Sequence, residues 1–449
     1  MKQQKALFAI FFLVCVSSFN LTARQSGDFS LPAPAQAGIY IENIATGDVL
    51  LDINGDKPFV PASIVKSITA ASALTALGPE FRFGTDVVLR GDVRDGELTG
   101  NLVIKVSGDP TLESSHFKEY SGFTDSIVNA LRAKGITRIK GSILVEKNNF
   151  IEQDVPRGWM EEDLAWPYGA GHRSLNFRDN KFVLSMPSRS SSPKVPGLKI
   201  KHTPAKGSLK VDRKRGDDTF IIRGRVRKRA HDVTLANPDP ASTLKYELCQ
   251  RLDSAGIKCG SSTVKSTANE TSVYSHVSPP LLEVLRSLMF RSDNMMAEGT
   301  LRALAPGKSR EDAVSRELRM WEQRDIDTEL IALEDGSGLS RNDRLTPYFM
   351  ADVLVWMASQ YSATDYVSLF PKAGIDGTMK NFLRDSSLEG RVAMKTGSMK
   401  GVQCYAGYVL GNDGLPTHVI IVMINKFNCG RSKVKAEAER LLLDMFGVE

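Results

Sequence analysis

Apolar and polar positions along this chain fall into blocks of two different periods. From Ser63 the run SIVKSITAASALTAL places Ile64, Ile68, Ala71 and Leu74 on one helical face and stops ahead of Gly78-Pro79, which predicts a helix with one buried stripe. The stretch after Pro280 has the same period, with Leu281, Leu282, Val284, Leu285, Leu288 and Met289 spaced for one buried face. Elsewhere the pattern is strand-like. Gly38 to Asp52 reads as a hairpin around Gly47-Asp48, and short apolar runs continue from Asp86 to Val145, broken by one helical stretch from Phe123 to Ala133. The last part reads RVAMKTGSM, QCYAGYVL, a GNDGLP turn and THVIIVMINKF, which predicts two or three antiparallel strands and then a helix from Ser432 to Met445. Pro187 to Pro196, rich in Ser and Pro, predicts a linker or exposed loop.

With 449 residues, 42% of them apolar and 24% charged, the chain is too long for a disulfide scaffold and too apolar for disorder. Lys2 and Lys5, the apolar run Ala6 to Val16 and the small or polar residues through Ala23 have the layout of a secretory signal, with cleavage expected between Ser18 and Arg24. That run is far shorter than the roughly 20 residues needed to span a bilayer. Export is therefore expected, to the periplasm or the outer face of the cell envelope. Cys249 and Cys259 are close enough in sequence to bridge in an oxidising compartment, whereas Cys404 and Cys429 are expected to stay free. No Cys-x-x-Cys or His-Glu-x-x-His occurs and the histidines are scattered, so neither a metal nor a cofactor is expected.

The net charge of +6 is modest, but Lys199 to Arg229 holds twelve Lys or Arg against three Asp. Arg223, Arg225 and Arg227 alternate there, so a strand would carry an arginine row on one face. Such a row is either a solvated surface or a patch that leans on anionic envelope polymer or lipid head groups; a nucleic-acid partner is not indicated.

Three short motifs carry chemistry: Ser63-Ile64-Val65-Lys66, Ser292-Asp293-Asn294 and Lys395-Thr396-Gly397. Together they form the set of penicillin-recognising serine acyltransferases. Ser-x-x-Lys alone occurs six times in this chain and Ser-x-Asn four times, so context selects. Ser63 opens a long apolar helix, Ser292 follows one, and Lys-Thr-Gly occurs once, in a strand-like run. Residues three apart share a helical face, so Lys66 reaches the Ser63 hydroxyl. A neutral amine can take that proton, which requires the lysine to fall roughly 3 units from its ordinary pKa. Burial and a second cation, Lys395, are the expected causes. Ser292 is expected to pass the proton to the leaving amine, and Asn294 to hold the substrate amide and orient Lys66. Lys395 and Thr396 are assigned to a substrate carboxylate, Gly397 to close backbone approach, and the N–H groups of Ser63 and Ser398 to the oxyanion hole.

The chain resembles the class C low-molecular-mass penicillin-binding proteins, the D-alanyl-D-alanine carboxypeptidase/endopeptidase family. GDPTL from Gly108, YGA from Tyr168, SLNFRDN to Asn180 and DGSGLSR from Asp335 are similar to family signatures. The resemblance implies an α+β fold, with an antiparallel sheet flanked by helices and mainly β domains, two of them, inserted between the first two motifs. Expected boundaries are 1–23 for the signal, 24–86 and 275–449 for the catalytic domain and 87–274 for the insertions. It further implies a penicillin-sensitive peptidase acting on peptidoglycan stem peptides, acylated by β-lactams on Ser63, with Trp159, Asp163, Arg341 and Met399 lining a pocket for the stem-peptide side chain. The rivals are a β-lactamase of the same fold and a non-catalytic muropeptide or β-lactam receptor. A class A β-lactamase would carry a deacylating Glu where this chain has His172, four residues before Asn176 in the Leu175-Asn176 segment.

Overall fold

This computed structural model describes residues 29–147, 150–153, 155–225, 231–265, 267–360 and 363–447; the expected signal segment lies outside them. Both ends of the chain enter one antiparallel sheet of five strands, ordered Val392–Met399, Val402–Leu410, Pro416–Asn425, Gln36–Asn43 and Val49–Ile53. The C-terminal part thus supplies three strands, and the N-terminal hairpin extends them. Along Pro416–Asn425, Val419, Ile421 and Met423 enter one core while Ile420, Val422 and Ile424 enter another. Burial of both faces is why this run reads as continuously apolar instead of alternating. One face is covered by the helix Arg431–Phe446 through Val434, Ala438, Leu441 and Leu442. The other packs on the helices Val65–Leu77, Leu281–Arg291 and Pro347–Ala358.

The helix after Ser63 is buried around its whole circumference from Val65 to Leu74, not along one stripe as its period suggested. Two of its buried polar residues are paired by neighbours. Thr69 donates to the Gly336 carbonyl at 2.9 Å, and Ser72 accepts the Trp321 indole N–H at 3.0 Å.

Between the first two motifs the chain leaves this body and returns at one place, because Gly84–Arg94 and Glu270–Val277 pair antiparallel with Gly84 opposite Val277. These strands belong to a six-stranded mixed sheet packed on the helices Phe123–Ala133 and Pro240–Ser254. The second helix was not anticipated. Its signals are an Asp239 cap on the Ser242 N–H, Pro240 in the first turn, and Leu244, Leu248 and Leu252 spaced by four. Two three-stranded sheets complete the insert, and Ser190–Ser192 within the Ser/Pro segment pairs with Lys181–Met186 in place of a plain loop.

The expected arginine row does not run on. The strand Thr219–Arg223 ends where Gly224 turns with φ 125°, and Arg223 is ion-paired with Asp212. Arg225 is exposed beyond the strand end, and Arg227 and Arg229 lie outside the described residues. Cys249 and Cys259 are separate thiols in contact with each other, not a bridge.

Candidate active site

Ser63 lies in the single 3-10 turn Ala62–Ile64 that leads into the central helix, which keeps Lys66 on its side of the chain. Lys66 Nζ is 3.1 Å from Ser63 Oγ and donates to Asn294 Oδ1 and to the Ser337 carbonyl, both at 2.6 Å. Asn294 opens the helix Asn294–Ala303, and Ser292 joins it to Leu281–Arg291 in the left-handed region, φ 58°. A non-glycine residue there stores about 1 kcal/mol or more of strain. Asp293 holds the junction: its carboxylate accepts from the Met296 N–H at 2.8 Å and its own N–H bonds Leu288 O at 3.1 Å. Ser292 Oγ thereby meets Lys395 Nζ at 3.0 Å, and Lys395 also donates to the Thr396 carbonyl at 2.8 Å.

Gly397 is required by contact. A Cβ at this position would stand 2.6 Å from the Pro61 carbonyl oxygen and 3.0 Å from the Ser63 nitrogen, so only glycine lets the Lys395 strand lie against the Ser63 turn. Farther along that strand Ser398 is exposed and Met399 half-buried, while Thr396 is partly open to the cleft.

Both lysines are fully buried. Burial lowers the Lys66 ammonium to about 8, against the pull of Asp335, Asp293, Glu298 and Asp343. Burial also pushes Lys395 well below its ordinary range, with the Lys66 charge adding to it. The main lever on Lys66 is thus desolvation, and the repulsion between the lysines is felt at Lys395.

The insert supplies the near wall. Asn294 Nδ2 donates to the Tyr168 carbonyl at 2.8 Å, and the Tyr168 hydroxyl donates to Asp163 Oδ1 at 3.0 Å. Burial raises the Asp163 carboxyl, while the Tyr168 hydroxyl and the charge of Arg341 oppose it. Trp159, expected to line the side-chain pocket, is 2% exposed and its indole N–H lies on Asp335 Oδ2 at 2.6 Å. Sequence reasoning passed over Tyr168, Asp335 and Ser337 as site residues. Their only signals were the Tyr-Gly-Ala and Asp-Gly-Ser-Gly stretches, which were similar to family signatures but carried no role for a single residue. His172 is buried, with a ring nitrogen 2.6 Å from the Gly108 carbonyl, and burial pushes it down to about 3.

A profile of the D-Ala-D-Ala carboxypeptidase 3 (S13) family matches residues 28–441. The chain belongs to this family. It is accordingly a serine-type D-Ala-D-Ala carboxypeptidase of the penicillin-binding class. D-alanyl-D-alanine carboxypeptidase DacB of Haemophilus influenzae is 26% identical over 446 residues, covering 92% of this chain and 90% of the relative. D-alanyl-D-alanine carboxypeptidase of an Actinomadura species is 28% identical over 422 residues, covering 85% and 76%. In three dimensions the S13 chain superposes on penicillin-binding protein 4 of Haemophilus influenzae with a TM-score of 0.78 at 24% identity, covering 93% of this chain and 98% of that one. This likeness establishes the shared α+β fold.

Proposed function

We propose that Ser63 is the acylated nucleophile of this carboxypeptidase and that Lys66, Ser292, Asn294 and Lys395 move and hold the protons and charges of the reaction. The observation that carries the reading is the convergence on one cleft of three motifs far apart in sequence, with Lys66 Nζ 3.1 Å from Ser63 Oγ and Lys395 Nζ 3.0 Å from Ser292 Oγ. Neutral Lys66 takes the Ser63 proton as Oγ attacks the penultimate D-Ala carbonyl of a stem peptide. The N–H groups of Ser63 and Ser398 receive the negative charge of the tetrahedral oxygen. As the C–N bond breaks, the proton returns through Ser292 to the departing D-Ala amine, and water then cleaves the ester. The terminal carboxylate is assigned to Thr396 and Lys395. Cross-bridges end on the same D-Ala carbonyl, so D,D-endopeptidase action belongs to the same chemistry.

Asp163 and Arg341, with Met399 at the end of the strand, are assigned to the stem-peptide side chain. Their opposite charges suit a side chain bearing both an ammonium and a carboxylate. A β-lactamase reading is disfavoured because His172 is buried and occupied by a backbone carbonyl. We further propose that the enzyme is exported, that residues 24–86 and 275–449 form one catalytic unit interrupted by 87–274, and that exposed Lys199 and Lys201 contribute to contact with anionic envelope surface.

Two assays test the reading. Purified enzyme incubated with a pentapeptide ending in D-Ala-D-Ala is expected to release free D-Ala, and a cross-linked muropeptide dimer is expected to be cut. Stoichiometric labelling by a fluorescent penicillin without D-Ala release would favour a receptor. Labelling that persists in Ser63→Ala would remove Ser63 from its role.

A further inference from the structure

Neutral Lys66 has two N–H groups and one lone pair, and the lone pair must face Ser63 Oγ. Two acceptors occupy the N–H groups: Asn294 Oδ1 and the Ser337 carbonyl, both at 2.6 Å. Asn294 is held in that sense because its NH2 is committed to the Tyr168 carbonyl. What holds the Ser337 carbonyl is Asp335. The carbonyl belongs to the Ser337–Gly338 peptide, whose N–H donates to Asp335 Oδ1 at 2.5 Å. Because the peptide is planar, its N–H and C=O cannot be aimed independently. The same Oδ1 also accepts from the Ser337 N–H at 3.0 Å. Oδ2 accepts from the Ser340 N–H at 2.8 Å and from the Trp159 indole at 2.6 Å. Asp335 is fully buried, so all four of its partners are N–H groups of the protein.

Gly338 locks the turn on its other side. With φ +72° and only 2.0 Å between a would-be Cβ and the Ala62 carbonyl oxygen, the loop rests directly on the residue before Ser63. An anionic acceptor on the peptide N–H also strengthens that peptide's carbonyl as an acceptor.

We propose that Asp335 is a positioning residue for acylation, aiming the Lys66 lone pair at Ser63 through the Ser337–Gly338 peptide, and that Trp159 of the insert holds Asp335 in place. This rests on the reading of Lys66 as the base for Ser63. It makes the seating of the insert part of the catalytic geometry and assigns Trp159 to support of the base.

The test is the pH profile of the second-order rate constant for acylation by a fluorescent penicillin, in wild type, Asp335→Asn and Trp159→Phe, each normalised to folded protein. In Asp335→Asn one arm can only donate and opposes a backbone N–H, and the plateau rate is expected to fall about ten- to hundred-fold, the scale of a small misplacement of reacting groups. Four carboxylates face Lys66, namely Asp335, Asp293, Glu298 and Asp343, together with the cation Lys395. Loss of one negative charge is expected to move the acid limb to lower pH. Trp159→Phe keeps an aromatic ring and the local charge, removes the pyrrole ring with its N–H, and is expected to slow acylation about three- to tenfold with the limb in place. It leaves the Asp335 carboxylate and its three backbone N–H partners in place, so it decides the matter if Asp335→Asn does not fold. Wild-type rates in the folded variants would overturn the proposal while leaving Ser63 acylation intact. Failure of the wild type to acylate at Ser63 would remove the underlying reading as well.

Discussion

On the floor of the cleft Lys66 and Lys395 are fully buried and Asn294 is 7% exposed, and their polar atoms meet protein partners. On the rim Tyr168 is 48% exposed and Asp163 and Arg341 are only partly covered. The two regions also differ in how their charges are set. Desolvation governs the floor lysines, so their protonation is a property of the folded chain. At the rim, burial and neighbouring groups act on Asp163 in opposite directions, so an arriving substrate can change the balance. On the proposed function, the floor is thus set for one reaction before substrate binds, and the rim is assigned to choosing among substrates.

The largest effect is expected on the floor. Lys66→Met keeps the length of the side chain and removes the base, and penicillin acylation should fall about 10²- to 10⁴-fold, the range of general-base catalysis. Burst kinetics measure this directly, and a loss below tenfold would place the base elsewhere. Next comes pH. With Lys66 lowered to about 8, the acylation rate should rise between pH 7 and 9 as the amine becomes neutral. A limb centred near pH 6 or 10 would contradict this.

The same group makes a linkage prediction. Between about 8 and 10.5 the unfolded lysine holds a proton that the folded one has lost. Stability should therefore climb with pH through that window, by up to about 3 kcal/mol from this residue. Urea midpoints at pH 8 and 10 should lose this part of the slope in Lys66→Met. The smallest effect belongs to the rim: Asp163→Asn should weaken kcat/KM about tenfold for a stem peptide with a charged side chain. Penicillin acylation should hardly change, and equal losses on both substrates would show that floor and rim are not separable.

The helices that carry Ser63 and Ser292 were legible because each buries regularly spaced apolar residues, and the three motifs were legible because context singled out one match of each. The helix Pro240–Ser254 was harder to see, since its Leu244, Leu248 and Leu252 stripe is diluted by Lys, Glu, Gln and Arg. Trp159 was read as pocket lining from its place in a likeness, and it turned out to donate to a buried carboxylate. The arginine row looked regular in sequence, yet Gly224 ends its strand.

The sequence by itself offered the candidate reacting groups, the local elements that hold them and the separation of motifs that implies an insertion, because residue type and period are local properties. Only the tertiary structure decided that burial depresses Lys66, that Tyr168 and Ser337 complete its surroundings, and that Asp335 stands behind Ser337. Desolvation and the direction of a carbonyl arise where segments distant in sequence meet, as with Lys66, Asn294 and Ser337. No spacing within one segment encodes that meeting.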